Sequence, residues 1–410
     1  MPIEEETPKP QEEQRRIEFS FPLLILRTKR FTPIFDKLGS FRASRYIGWV
    51  FLILVPFVAG GALYLIVNSL IGVLVHPEVG QVIRQLGPGT VLLIPGINPL
   101  LPIFYGWLGI VCAIVVHEGA HGIIARNAGL NVKSSGLVFF LIVPIGAFVD
   151  VDEEQLKKAK PRPSLKVMAA GFGGNIILGA VCLISLLIIV GGLTPVIDNG
   201  VYINDVTQGL PAQSAGILPK DVLVSVDNMT INNSTILRAV LDNKTAGDII
   251  QVTLARGEHW QDHFSTVVNL TISDNRTVMG ISASDLMTKE RLANYESFSI
   301  DKYALYIVPP TLASSVIPFS DSLAQFYTSW LGPNWQILAN VLFWLWFVNF
   351  NLAIFNALPI YPLDGGRIFN ISLRAFGKRL SEKAIYAITL AVTSVCVTLV
   401  VLGIVLPFII

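Results

Sequence analysis

Residues 103–126, IFYGWLGIVCAIVVHEGAHGIIAR, decide how this chain has to be read. About 20 mostly apolar residues suffice for a helix to cross roughly 30 Å of hydrocarbon, and this run has that length and composition. It nevertheless ends in His117, Glu118 and His121. Residues four apart share a helical face, so the two imidazoles are neighbours and Glu118 lies one step round. Ionisable groups inside a membrane helix are costly, about 2.5–3.5 kcal/mol for a charge at the helix centre, and as a rule mark function. Two neutral imidazoles at this spacing can hold a zinc ion, and a carboxylate beside the open coordination position can take a proton from water.

A catalytic zinc takes three protein ligands, so a third donor has to come from elsewhere. The candidate is Asp364 in NALPIYPLDGG, residues 356–366, just past the end of a later apolar stretch. Taken alone, PLDGG is an ordinary turn signal. Its weight comes from topology, which places it at the same membrane depth as the histidines. Pro359 and Pro362 interrupt the helix, and Gly365 and Gly366 permit turns that aim the carboxylate back. His259 and His263, also four apart, lie in the hairpin-like IIQVTLARGEHWQDHFSTVVNLTI, where that spacing does not bring residues onto adjacent helical turns.

Composition fits a bilayer as solvent. Of the 410 residues 52% are hydrophobic and 14% charged, with a mean hydropathy of +0.60, against about 25% charged in soluble domains. A formal charge of +1 offers no basic excess for nucleic acid. Cys112, Cys182 and Cys396 fall in apolar runs, without the paired spacing of a zinc finger, and read as buried filler. MPIEEETPKPQEEQR at the start lacks the apolar core of a secretory signal, so insertion is expected to use an internal span.

Five stretches are long enough to span: 46–76, 103–126, 167–193, 337–358 and 383–408. Arg27, Lys29, Arg30, Lys37, Arg42 and Arg45 precede the first. Lys157, Lys158, Lys160, Arg162 and Lys166 precede the third, and Arg367, Arg374, Lys378, Arg379 and Lys383 follow the fourth. By the positive-inside rule these loops are cytoplasmic, which puts the N-terminus inside and the C-terminus outside. The expected domains are a cytoplasmic segment 1–45, membrane residues 46–194, an extracytoplasmic β-rich domain 195–300 and a second membrane part 301–410. Sequons at Asn228, Asn232, Asn233, Asn243, Asn269 and Asn275 suit the exposed placement of that domain. Residues 301–335, broken by Pro309, Pro310, Pro318 and Pro333, predict an interfacial or re-entrant segment instead of a span.

HEGAH together with N-x-x-P-x-x-x-x-D-G, Asn356 to Gly365, resembles the site-2 protease family of intramembrane metalloproteases. The resemblance implies that His117, His121 and Asp364 bind Zn2+ and that Glu118 is the general base. It further implies cleavage of transmembrane helices of protein substrates in regulated intramembrane proteolysis, by a core made of the second, third and fourth spans. PIGAFV, 144–149, is similar to the family's loop or hairpin beside the active site. MAAGFGGN, 168–175, is similar to its G-P-x-x-N element, with Phe172 where Pro is usual. By the same resemblance Asn175 and Asn356 contact substrate backbone. GLPAQSAGILPKDVLVSVDNMTI, 209–231, resembles the PDZ modules inserted in many such proteases, with Lys220 in place of a common Gly, and implies a peptide ligand taken by strand addition.

The expected fold is thus a multi-span α-helical membrane protein with five or six spans, a re-entrant or hairpin element and a PDZ-like domain. Its partners are the lipid bilayer, transmembrane substrates and a peptide, with no nucleic acid, and it is expected in the cell membrane. Two rival readings are a zinc-dependent transporter or sensor and a non-catalytic scaffold. Near-apolar first and last spans argue against an ion pathway, and the missing fourth protein ligand argues against a structural zinc.

Overall fold

The computed structural model describes residues 16–409 apart from 142, 199, 274–275, 300–301 and 378. The N-terminal stretch 1–15, the sequon at Asn275 and Lys378 therefore lie outside the described residues. In order, the first elements are β1 (Ile17–Ser20), β2 (Leu23–Thr28), α1 (Thr32–Ser40), α2 (Arg42–Val75), α3 (Pro77–Leu86), α4 (Ile103–Asn127), β3 (Val132–Phe140), β4 (Val143–Val151), α5 (Glu153–Lys158) and α6 (Pro161–Gly191). There follow β5 (Leu193–Pro195), β6 (Val201–Val206), α7 (Pro211–Ser214), β7 (Val222–Val226), β8 (Met229–Thr230), α8 (Ser234–Asp242), β9 (Ile249–Arg256) and β10 (Asp262–Asn269). The chain ends with β11 (Thr271–Ser273), β12 (Arg276–Val278), β13 (Ile281–Asp285), α9 (Thr288–Glu296), α10 (Tyr303–Ile307), β14 (Tyr327–Ser329), α11 (Trp335–Ala357), α12 (Asp364–Phe376) and α13 (Glu382–Ile409).

Among the described residues five helices, α2, α4, α6, α11 and α13, are long and apolar enough to cross a membrane. Each overlaps one of the five expected stretches, with ends shifted by a few residues. The largest shift is in α6, which starts at Pro161 instead of 167. Proline is pre-organised for the first turn of a helix, and that turn continues through polar residues the apolar run does not count.

The chain divides into two compact units, residues 1–183 with 341–410, and residues 184–340. In the first, an antiparallel sheet in the order β1-β2-β3-β4 lies beside the helices. Two strands and α1 thus lie within residues 1–45, for which the sequence reading named no elements. Leu24 pairs with Phe139 and Leu26 with Leu137, so the N-terminal strands extend the hairpin that contains PIGAFV. Val149 and Val151 of β4 pack on a core built from Ile124 and Ala125 of α4, Val167 and Ala170 of α6, and Ala353 and Ala357 of α11. Small residues let helix backbones approach where lipid gives no hydrophobic drive. A Cβ on Gly174 of α6 would stand 2.8 Å from the Ala120 Cβ of α4.

In the second unit the sheet runs β10-β9-β7-β6-β13, with β8 on β7. Ile250, Val252 and Leu254 alternate inward along β9, the period of a half-buried strand, and Leu237 and Leu241 of α8 cover the same core. Asp221, 1% exposed, is met by Arg256 in a bidentate pair, Nε to Oδ1 at 2.6 Å and Nη2 to Oδ2 at 2.7 Å. A carboxylate buried this deeply needs such a partner. His263 lies on β10, and His259 sits in the preceding turn at φ 56°, so the two share no helical face. Residues 302–334 contain only short elements, and β14 pairs with β5.

Candidate metal centre

His117 and His121 lie in the C-terminal half of α4, one turn apart. Asp364 opens α12, after the chain has turned through residues 358–363. Gly365 and Gly366 are both within that helix, so they do not supply the turn expected of them. They permit close approach. A Cβ on Gly365 would collide with the carbonyls of Ala357 and Leu358, and one on Gly366 with Ile360 and Tyr361. The glycine pair lets α12 fold tightly back on the end of α11, which carries the carboxylate to the histidines.

Asp364 Oδ2 stands 3.2 Å from His117 Nε2 and 3.1 Å from His121 Nε2, and the two nitrogens are 3.3 Å apart. All three residues are buried in the bundle. Zinc bonds of about 2.0–2.1 Å in a tetrahedron place neighbouring ligand atoms about 3.3–3.4 Å apart, so the triangle has the size of one tetrahedral face. The donor chemistry agrees. His121 Nδ1 donates to the Val167 carbonyl at 2.7 Å, which leaves Nε2 a lone pair in the neutral ring. Among the described residues Asp364 Oδ2 has no hydrogen-bond partner, nor has His117 Nδ1. A proton on one ring would satisfy one edge of such a triangle, whereas a metal ion satisfies all three donors. The residues therefore fit a zinc ion.

Glu118 points to the sheet. Its Oε2 accepts the Val149 backbone N–H at 3.2 Å. Asn175 is wholly buried, and in the amide orientation that suits its neighbours its N–H groups reach Gly171 O at 3.1 Å and Ala113 O at 3.3 Å, joining α6 to α4. Asn356 donates to Leu352 O at 3.0 Å within its own helix. The structure thus gathers His117, His121 and Asp364, with Glu118 adjacent in α4, and gives both asparagine amides helix carbonyls as partners. Three contributors were not anticipated: the Val167 carbonyl, the Val149 N–H and Gly171, whose missing side chain leaves room for both imidazoles. The last lies in MAAGFGGN, which the sequence reading singles out only for its resemblance to the family's G-P-x-x-N element.

The sequence profile of peptidase family M50 matches residues 105–400. An uncharacterised protein of Methanocaldococcus jannaschii is 25% identical over 359 residues, 88% of this chain and 79% of that one. A Clostridium perfringens protein named as a zinc metalloprotease is 26% identical over 65% of this chain and 86% of its own length. An Arabidopsis thaliana protein named as a chloroplastic membrane metalloprotease is 26% identical over 64% of this chain and 69% of its own. With the matched region covering the metal centre and the four spans from α4 onward, this chain belongs to peptidase family M50, the site-2 protease family, and is a multi-pass membrane zinc metalloprotease.

Proposed function

We propose that this protein is an intramembrane endopeptidase that hydrolyses a peptide bond in the transmembrane segment of another membrane protein, in regulated intramembrane proteolysis. The observation that carries this reading is the triangle of three lone-pair donors on His117, His121 and Asp364, with a carboxylate on the next residue of α4. His117, His121 and Asp364 are the zinc ligands. Zinc, when bound, polarises a peptide carbonyl and lowers the pKa of water to about 7. Glu118 takes the proton of the attacking water and returns it to the leaving amine.

A helical substrate hides its carbonyls in i to i+4 bonds, so the scissile segment has to unwind. β4 is the free edge of its sheet, and the Val149 N–H that now bonds Glu118 lies on that edge. An unwound segment adding there as a strand would gain main-chain partners and release Glu118. Asn175 and Asn356 contact the same backbone, each first giving up its helix carbonyl. The N-terminus is cytoplasmic, and the domain of residues 195–300 is extracytoplasmic and PDZ-like. A cavity of about 690 Å³, bordered by Leu237, Arg238 and Leu241 of α8 and by Met279, Gly280 and Ile281 at the start of β13, is where its peptide ligand would lie. β13 ends the sheet and is open to strand addition.

The test is cleavage of a panel of single-span proteins by the detergent-purified chain, with zinc measured per chain. Cleavage that a chelator abolishes supports the reading. Bound zinc with no cleavage across the panel counts against it and favours a transporter or a scaffold.

A further inference from the structure

We infer that Gly171 is a positioning residue of the metal centre, held to glycine by the two imidazoles. The observation is a collision that only glycine avoids. A Cβ built on Gly171 would overlap His121 Nε2 and stand 2.5 Å from both Cε1 and Nε2 of His117. It would thus lie against the edge joining the two nitrogens, the edge from which any ion held by both rings is bonded. One helical turn earlier on the same α6, the Val167 carbonyl takes the Nδ1 proton of His121 at 2.7 Å. α6 therefore supplies no ligand, yet it fixes one ring through a carbonyl and sets the depth of both through a missing side chain. Outer partners of this kind fix the tautomer and orientation of a histidine ligand.

The neighbouring glycines have different work. A Cβ on Gly173 would collide with the Phe51 ring of α2, and one on Gly174 would press on Ala120 and the Val116 carbonyl. These are helix contacts away from the donor atoms. Gly174→Ala is therefore the control for general loosening of α6 on α4, and Gly171→Ala is the test of the centre itself.

The inference rests on the reading that His117, His121 and Asp364 hold zinc, and the experiment separates the two. Full-length wild type, Gly171→Ala and Gly174→Ala are purified in detergent. Zinc retention is measured against a competing chelator, the visible absorption of the cobalt(II)-substituted forms is recorded, and melting is followed with and without chelator. Gly171→Ala is expected to hold zinc at least 10–100-fold more weakly, the range for losing an outer partner. It should also alter the cobalt bands and lose the chelator-dependent drop in melting temperature shown by wild type. Gly174→Ala should melt lower and keep zinc. Wild-type retention and cobalt bands in Gly171→Ala would overturn the inference, as would equal zinc loss in Gly174→Ala. If Gly171→Ala does not fold, removing the rings with His117→Ala and His121→Ala should restore folding. Failure of that triple variant to fold would make Gly171 a packing residue only. A wild type that binds no zinc would instead sink the metal reading on which the inference stands.

Discussion

Glu118 Oε2 accepts the backbone N–H of Val149 at 3.2 Å, which ties the carboxylate beside the two imidazoles to the open edge of a sheet. Glutamine can keep that bond through its carbonyl oxygen but cannot act as a base at neutral pH. Glu118→Gln should therefore leave the sheet in place and the zinc bound while cutting turnover by about 10²–10⁴-fold. Zinc content and cleavage rate, measured on one preparation, check this. Loss of zinc in the variant would make Glu118 a ligand and not the base.

Asp364→Ala removes one corner of the triangle and leaves two imidazoles at 3.3 Å. Zinc retention against a chelator should fall by more than the roughly 10–100-fold that loss of an outer partner costs, and activity should fall with it. Undiminished zinc would take Asp364 out of the coordination shell.

Much of this centre is readable without coordinates because its parts are local. His117 and His121 are one helical turn apart, so their meeting needs no knowledge of the fold. Asp364 is reached by counting spans, since two chain reversals return it to the end of α4 where the histidines lie. The same reasoning fails where partners are remote. Leu23 pairs with Phe140, and nothing in the short run LLILRT specifies that partner or separates a strand from a buried helix. Gly365 and Gly366 are needed for lack of bulk and not for the turn geometry that PLDGG suggests. Nothing in MAAGFGGN tells which atoms Gly171 faces, since a glycine in a membrane helix commonly serves helix packing, and only coordinates place it against the imidazole nitrogens.

Asp227 gives the turn it shares with Lys244 and Gln251 a local dependence on pH. The Lys244 ammonium at 2.8 Å, and after it the Gln251 N–H at 2.9 Å, hold its carboxyl below the usual carboxylate range. A carboxyl depressed in the folded state contributes stability that is fully present above its unfolded pKa, about 3.9. That contribution is lost as pH falls through the lower folded value. The protection factor of the Gln251 amide against hydrogen exchange should decline across that window in wild type. In Lys244→Met it should start lower at neutral pH and decline less, the two curves converging in acid. Parallel curves would remove the ammonium as the cause.

Asn175 and Asn356 separate packing from substrate contact. The amide of Asn175 is wholly buried and bridges α6 to Ala113 O of α4, whereas Asn356 is half-buried and, among the described residues, bonds Leu352 O within α11. Replacing each by leucine removes a donor from a different context. Asn175→Leu should lower stability by about 1 kcal/mol, the net worth of a buried hydrogen bond, because it unties two helices. Asn356→Leu loses only a bond inside one helix and should melt within about 0.5 kcal/mol of wild type. If the Asn356 amide leaves Leu352 O to meet an unwound substrate, that same variant should raise KM while leaving zinc content unchanged. Melting curves and steady-state kinetics on both variants decide between the roles. Asn175→Leu should raise KM as well as lower the melting temperature, since both amides are proposed to meet substrate, and an unchanged KM in either variant would take that amide out of the substrate contact.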